Sequence, residues 1–160
     1  MQPDPSALQD LIDKIEIGEM QSRYMFALDW YDADVYASLF TDDATLEWPE
    51  GHCQGRAQIR EACVRVGAMY RRLAEPAKPT KMAHKRHFIS NRTIRIEGDH
   101  ATARCYWYDF NNDNQPRWPY VQAYGYYEDE LVRTPEGWRF SHRKIINEMT
   151  GESPPENPAW

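Results

Sequence analysis

The chain has 160 residues, the usual size of one domain, so we expect a single domain over residues 1–160 with its core at about 8–149 and an irregular tail at 150–160. Its 19 Lys and Arg against 25 Asp and Glu give a formal charge of −6, which disfavours a phosphate-backbone binder and hence a nucleic-acid partner. Six Trp, ten Tyr and five Phe make the apolar content unusually aromatic. Such a composition suits a packed core or a cavity for a ring-shaped ligand.

The sequence carries none of the signals of a membrane, exported or zinc protein. No run approaches the roughly 18 apolar residues of a membrane span, and the N-terminus has no basic flank followed by an apolar stretch. The three cysteines, Cys53, Cys63 and Cys105, are far apart and form no CxxC pair. We therefore expect a cytoplasmic protein with reduced thiols and no membrane partner.

The first half of the chain has helical periodicity. Apolar residues recur at helical spacing from Leu8 to Leu28 and predict a long amphipathic helix starting at Ser6. A short second helix over 35–40 and a short strand over 44–48 follow. The apolar positions between Arg56 and Leu73 then predict a third helix.

Beyond a proline-containing connector at 74–80, the periodicity changes toward two. It predicts antiparallel strands near 87–97, 101–111, 120–133 and 138–148, with a bulge in the first, where the alternation breaks. In the last strand, alternation puts Arg143 on the face opposite Trp138 and Phe140. Helices followed by long strands indicate an α+β domain in which a curved antiparallel sheet wraps around the first helix and leaves an open mouth.

Asp29 and His87 are charged or titratable residues inside core-like segments. Asp29 stands between Phe26-Ala-Leu28 and Trp30, and His87 opens a strand beside Phe88 and Ile89. A buried carboxylate paired with a histidine would make the histidine a general base. Each residue also has an ordinary interpretation, a turn aspartate and a satisfied core histidine.

Arg143 and Tyr24 are further candidates. The Arg143 guanidinium could hold an oxyanion or leaving group, or it could form a salt bridge. Tyr24 lies five residues before Asp29, about 140° around a helix, so the two side chains could flank one pocket. The chain has no phosphate-binding glycine loop, no nucleophile elbow and no complete metal-ligand set, so we expect no metal ion and no phosphoryl-transfer chemistry.

Several sequence runs together resemble the SnoaL-like branch of the NTF2-like superfamily. They are Tyr24–Asp29, Leu39–Ala44, Gly55–Ile59, His87–Asn91, Tyr124–Asp129 and Gly137–Arg143. The resemblance implies a cone-shaped α+β barrel with the pocket inside it. It also implies an Asp–His dyad at Asp29 and His87, as in the dehydratase and dehydrochlorinase members, with Arg143 and Tyr24 at the positions of two further site residues.

The aromatic residues divide into two predicted groups. Tyr70, Trp138, Phe140 and Phe40 are expected in the core. The residues expected to line the cavity and bind substrate are Tyr24, Trp30, Tyr31, Trp48, Tyr106 and Tyr108.

These expectations favour a cofactor-independent lyase that acts on a hydrophobic aromatic or polycyclic molecule by β-elimination or retro-aldol C–C cleavage. An isomerase or cyclase with the same base is the nearest alternative. A noncatalytic ligand-binding module, or the small subunit of a ring-hydroxylating dioxygenase, is an alternative of another class. Because oligomers are usual in this family, we expect a homo-oligomer, a trimer or dimer, joined through an aromatic sheet face.

Overall fold

The computed structural model describes residues 4–74, 83–150 and 157. Nearly all of the predicted connector and of the predicted tail lies outside these residues. The elements in chain order are α1 (Pro5–Trp30), α2 (Ala33–Ser38), β1 (Phe40–Trp48), β2 (Gly51–Gln54), α3 (Arg56–Ala74), β3 (Lys85–Glu97), β4 (His100–Asn111), β5 (Tyr120–Thr134) and β6 (Gly137–Asn147). Strand β2 was not predicted, and β1 begins four residues before its predicted start.

The long helix α1 has well-defined ends. It begins with Pro5 in the first turn, and the Asp4 carboxylate accepts a hydrogen bond from the Ser6 backbone amide. It ends at Tyr31, which adopts the left-handed conformation (φ 58°) and donates its backbone N–H to carbonyls of the last turn. A non-glycine residue in that conformation is strained, so the helix ends at a point that the surrounding structure must hold.

The buried face of α1 differs from the predicted one in its first half. The expected core residues Leu8, Leu11, Ile12 and Ile15 are exposed. Asp13 is buried instead, because its carboxylate accepts two hydrogen bonds from the Arg133 guanidinium and one from the Trp138 indole. A satisfied polar anchor, rather than the apolar stripe, thus sets the rotation of the helix.

The six strands form one open, curved sheet in the order β2-β1-β6-β5-β4-β3. Neighbouring strands are antiparallel except for β1 and β6, which are parallel, with Leu46 opposite Arg143. The prediction of a purely antiparallel sheet is therefore wrong at this one pair. The sheet is also not a closed barrel, because β2 and β3 are its two edges.

Two register shifts decide which side chains face the helices. The predicted bulge in β3 is confirmed between Ser90 and Thr93, where Asn91 has a φ of 51°. A second shift lies in β6, where Leu131 pairs with Phe140 but Glu130 pairs with His142. This extra residue turns Arg143 onto the same face as Phe140, so the face predicted from simple alternation is wrong.

The core lies between α1 and the concave face of the sheet. The predicted core aromatics Phe40, Tyr70, Trp138 and Phe140 are all buried, as the sequence indicated. The three cysteines are buried free thiols. Among residues 4–74 and 83–150, no helix is long and apolar enough to cross a membrane.

Candidate active site

Asp29 is held in place by the end of α1. It occupies the last turn, two residues before the strained Tyr31. The Arg86 guanidinium, at the start of β3, donates a hydrogen bond to the Asp29 backbone carbonyl (3.1 Å) and lies 3.9 Å from the centre of the Trp30 ring. A cation at a helix C-terminus interacts favourably with the unpaired carbonyls there. This contact fixes the Asp29 backbone relative to β3.

The Asp29 carboxylate binds His87 at two points. Its Oδ2 accepts the His87 backbone N–H (2.9 Å), and its Oδ1 lies 2.6 Å from the ring Nδ1. The Asp29 side chain is buried, and the His87 side chain is 11% exposed. Because the carboxylate oxygen can only accept, Nδ1 carries a proton, and the neutral form of the ring would present the lone pair of its Nε2. The structure thus brings the two predicted dyad residues together.

A second buried carboxylate lies on the other side of the histidine. Asp109 is directly opposite His87 on the neighbouring strand, and its Oδ2 is 4.0 Å from His87 Nε2. The Lys85 ammonium lies 3.0 Å from the same Oδ2, a distance typical of an ion pair. Within the described part of the chain, neither Asp109 oxygen accepts a hydrogen bond with good geometry. We call Asp29, Lys85, His87 and Asp109 the His87 cluster.

Tyr31, the residue that follows α1, has a buried hydroxyl group near Asp29. The ring of Tyr31 stacks on that of Tyr70, whose hydroxyl accepts a hydrogen bond from the Asn111 amide (2.8 Å). The Tyr31 hydroxyl is buried and has no hydrogen-bond partner among the described residues. Burial raises the pKa of Tyr31 to about 12, so this hydroxyl stays protonated at neutral pH and can donate.

Arg143 lies in a different, fully buried cluster. Its guanidinium donates two 2.7 Å hydrogen bonds to the Asp129 carboxylate, and Gln21 donates a third to the same carboxylate (2.9 Å). The rings of Tyr24, Tyr127 and Phe140 lie 4.0–4.3 Å from the guanidinium carbon. Burial alone would lower the pKa of Arg143, but the Asp129 carboxylate raises it, so the residue is charged. We call Gln21, Tyr24, Asp129 and Arg143 the Arg143 cluster.

Tyr24 belongs to this buried cluster rather than to the dyad. Its hydroxyl shares a 2.8 Å hydrogen bond with the Tyr36 hydroxyl, and its side chain is fully buried. Burial raises the pKa of Tyr24. The Tyr24 hydroxyl binds Tyr36 and two Arg143 nitrogens bind Asp129, whereas Arg143 Nη1 has no hydrogen-bond partner among the described residues. The predicted contact of Tyr24 and Arg143 with substrate stays a prediction.

The predicted cavity aromatics divide between the two faces of the sheet. Tyr106 and Tyr108 are 46% and 37% exposed and alternate along β4 with the buried Trp107 and Asp109, so they lie on the outer face, away from His87. The prediction that they line the cavity chose the wrong face. Trp30 is 59% exposed and lies beneath the Arg86 guanidinium. Trp48 packs at the end of β1 against the core.

Lys85 and Asp109 are site residues that the sequence analysis missed. Asp109 could have been found from the sequence. Along β4 it alternates in step with Cys105 and Trp107, so all three lie on one face of the strand. A carboxylate continuing an apolar face at the end of a strand indicates a cavity wall. Lys85 could not be found in the same way, because β3 begins two residues earlier than predicted.

Comparison with known proteins identifies the family. The SnoaL-like domain matches residues 9–144. An uncharacterized protein of Mycobacterium tuberculosis, Rv2910c, is 27% identical over 143 residues, which is 86% of each chain.

Two solved structures from Novosphingobium aromaticivorans share the fold. An NTF2-like protein with a cystatin-like fold is 28% identical, with a TM-score of 0.73 over 87% of this chain and 84% of that one. A protein assigned provisionally as a scytalone dehydratase has a TM-score of 0.71 at 21% identity, over 86% of this chain and 85% of that one, and shows the fold alone. The domain match covers most of the sequence, and the chain belongs to the SnoaL-like family within the NTF2-like superfamily.

Proposed function

We propose that this protein is a cofactor-independent lyase in which His87, oriented by Asp29, is the general base. The observation that supports this most directly is the two-point contact between the Asp29 carboxylate and His87. This contact fixes the ring, sets its tautomer and stabilises the imidazolium that forms when Nε2 accepts a proton. Membership of a family that contains dehydratases makes elimination the first reaction to test.

In β-elimination, Nε2 takes a proton from the carbon next to the one that bears the leaving group. The C–H electrons form the new double bond, and the carbon–leaving group bond breaks with its electron pair on the leaving group. For a hydroxyl leaving group, the imidazolium returns its proton and water is released. The products are the alkene and water, or the alkene and the hydrogen halide, and no oxidant or reductant is needed.

Retro-aldol cleavage makes the same demands on the site. Nε2 takes the proton of a substrate hydroxyl, the oxygen electrons form a carbonyl, and the adjacent C–C bond breaks with its electrons on the second carbon. The imidazolium then protonates that carbon. Both reactions need a base beside a group that stabilises oxygen or carbanion charge, and the Lys85 ammonium supplies positive charge at this cluster.

The substrate we propose is a hydrophobic aromatic or polycyclic small molecule. The buried Trp107 lies beside Asp109 on β4, and the stacked pair Tyr31 and Tyr70 lies near the end of α1 that carries the dyad. Aromatic walls with a few convergent polar groups are typical of sites for such ligands. We assign Tyr24 and Arg143 a structural part here, since their polar groups bind Tyr36 and Asp129.

The test is a comparison of product masses. The wild-type protein and the variant His87→Ala are incubated with a panel of hydroxylated and halogenated aromatic compounds and analysed by untargeted mass spectrometry. We expect a product lighter by water or hydrogen halide, or two carbonyl-containing fragments. His87→Ala and Asp29→Asn should lower turnover by about two to four powers of ten.

A matched control is available on the other face of the sheet. His142 also pairs with a carboxylate, Glu47 at 3.1 Å, so His142→Ala removes a histidine–carboxylate pair away from the site and should leave turnover unchanged. A product with the same mass as its substrate would instead indicate the isomerase or cyclase alternative. Turnover that survives both dyad variants, or ligand binding without turnover, would contradict a lyase and favour a binding module or an oxygenase subunit.

For assembly, we propose that two or three copies associate through the outer face of the sheet. Phe88, Tyr106, Tyr108, Phe110 and Tyr124 are exposed there, and Phe88 stacks on Tyr108 with ring centres 5.2 Å apart. A contiguous exposed aromatic patch is uncommon on a monomer and is typical of an interface.

Light scattering after size-exclusion chromatography tests this assembly. The variant Tyr108→Lys places a charge in the patch and should give a monomer. Thr102→Lys adds the same charge elsewhere on the outer face of β4 and should keep the oligomer. A monomeric wild-type protein would contradict the proposal.

A further inference from the structure

Within residues 4–74 and 83–150, Asp109 lacks the hydrogen bonds that a buried carboxylate requires. Its side chain is fully buried on the inner face of β4, and neither oxygen accepts a well-oriented hydrogen bond within the described residues. Burying an ionised group without such bonds is costly, and native proteins rarely leave one in this state. The carboxylate therefore has acceptor capacity for a donor beyond the described residues, such as a ligand.

Lys85 balances the charge of Asp109 and still has N–H donors for another group. The ammonium lies 3.0 Å from Oδ2, and the Lys85 side chain is 24% exposed. An ammonium has three donors, so others are free to bind an oxygen that approaches from the open side. The pair therefore offers both an acceptor and a donor to one ligand group.

The position of His87 limits what that ligand group can be. With Nδ1 protonated toward Asp29, the Nε2 lone pair faces Asp109 Oδ2 across 4.0 Å. Two acceptors at this separation repel each other unless a donor lies beside both. An oxygen at about 2.7–3.0 Å from each atom fits this arrangement at normal hydrogen-bond lengths.

We propose that Asp109 and Lys85 form a subsite that selects ligands with a hydroxyl group, phenolic or alcoholic, next to His87. The hydroxyl donates to Asp109 or to His87 Nε2, and its oxygen accepts from the Lys85 ammonium. A methyl group of the same size can neither donate a proton nor accept one from Lys85, so it makes neither contact. The inference rests on the proposed site at His87, but it concerns binding and is tested without turnover.

The experiment uses two size-matched probes, 2-naphthol and 2-methylnaphthalene, and follows binding by the fluorescence of the naphthyl ring. The quantity compared is the ratio of the two dissociation constants. A hydrogen bond to a charged group contributes about 1.5–3 kcal/mol, so the preference for 2-naphthol should fall at least about tenfold in Asp109→Leu relative to wild type. Glu47→Gln, a carboxylate on the outer face, should leave the ratio unchanged.

The conservative variant Asp109→Asn guards against loss of folding in Asp109→Leu. Its amide oxygen still accepts a hydrogen bond but is uncharged, so we expect an intermediate ratio and an unchanged circular dichroism spectrum. A wild-type protein that does not bind 2-naphthol, or a ratio that is the same in wild type and both variants, would overturn the proposal.

The binding experiment can fail or succeed independently of the lyase proposal. If the probe ratio does not change with Asp109 while His87→Ala abolishes turnover, the subsite is wrong and the lyase proposal stands. If the ratio changes as expected while His87→Ala keeps full turnover, the subsite stands and the general base is wrong.

Discussion

The Arg143 cluster and the His87 cluster each contain a fully buried carboxylate beside a cation, but the two carboxylates differ in their hydrogen bonds. In the first, the Asp129 carboxylate accepts three hydrogen bonds from Arg143 and Gln21. In the second, Asp109 accepts no well-oriented hydrogen bond from the described residues, and His87 Nε2 faces it across 4.0 Å. The Arg143 cluster is sealed, whereas the side chains of His87 and Lys85 remain partly accessible.

We expect this difference in the two carboxylates to separate a structural ion pair from one that can bind a ligand. The Asp129 carboxylate has its hydrogen bonds from within the fold and is fully buried, so it is not available to a ligand. A buried cluster with unused acceptors is costly in the free protein and recovers that cost when a ligand donates to it. Substitutions in the two clusters should therefore affect different quantities.

The largest stability effect is expected from Arg143→Met. It leaves the Asp129 carboxylate buried without its cation, which typically costs about 3–5 kcal/mol. Urea denaturation followed by circular dichroism measures this change in the free energy of unfolding. His87→Ala, measured in parallel, should change it by less, because the Asp29 carboxylate keeps the backbone amide of residue 87 as a donor. Equal effects of the two variants would remove the distinction between the clusters.

A smaller loss of stability is expected from a substitution of Asp13, and this loss should depend on pH. The Arg133 hydrogen bonds lower the pKa of Asp13 below its ordinary value of 3.8, although burial opposes this. The stabilisation is present above pH 3.8 and is lost as the pH falls through the lower pKa of the folded state.

The variant Asp13→Asn tests this pH dependence. It should destabilise the protein at neutral pH by about 2–3 kcal/mol, less than a fully buried pair because Arg133 is partly exposed. Melting temperatures measured from pH 7 down to pH 2 should converge for the variant and the wild type at the acid end. A constant difference over the whole range would show that Asp13 acts through packing alone.

The double variant Lys85→Met with Asp109→Leu should stabilise the protein, in contrast to the two variants above. Replacing a buried ion pair by apolar side chains of similar size is often neutral or stabilising, and here one carboxylate is also poorly satisfied. We expect an increase of about 1 kcal/mol in the free energy of unfolding. A loss of several kcal/mol would mean that this pair is structural, like Asp129 and Arg143.

The smallest effect is expected from Tyr24→Phe. It removes only the hydrogen bond to the Tyr36 hydroxyl, which contributes about 0.5–1.5 kcal/mol, and keeps the ring against Arg143. Turnover should stay within a few-fold of wild type. A hundredfold loss of turnover with unchanged stability would instead assign Tyr24 the catalytic role that the family resemblance implies.

The sequence predicted much of the fold because hydrophobic periodicity follows the buried face of most elements, although not of the first half of α1. The three helices, the four long strands and the β3 bulge all follow from it. It could not predict the β6 register shift, because the extra residue there is defined by pairing with β5 rather than by any local residue type. That one shift reversed the predicted face of Arg143.

The candidate site was predicted in part for a related reason. Asp29 and His87 stand out as polar residues in apolar segments, and the structure brings them together. Tyr106 and Tyr108 were misassigned because aromatic residues suit a cavity wall and an exposed interface equally well, and only the position of the sheet relative to α1 decides. Lys85 was missed because strand ends are poorly defined by alternation.

The abrupt end of α1 makes the contact between Asp29 and His87 depend on the length of the helix. Asp29 meets His87 only if the number of residues from the Asp13 anchor to Tyr31 is right. One inserted residue would rotate the carboxylate by about 100° and move it by about 1.5 Å along the axis. A change in the length of a loop at the sheet edge should leave this contact in place, whereas an insertion or deletion within this segment of α1 should break it.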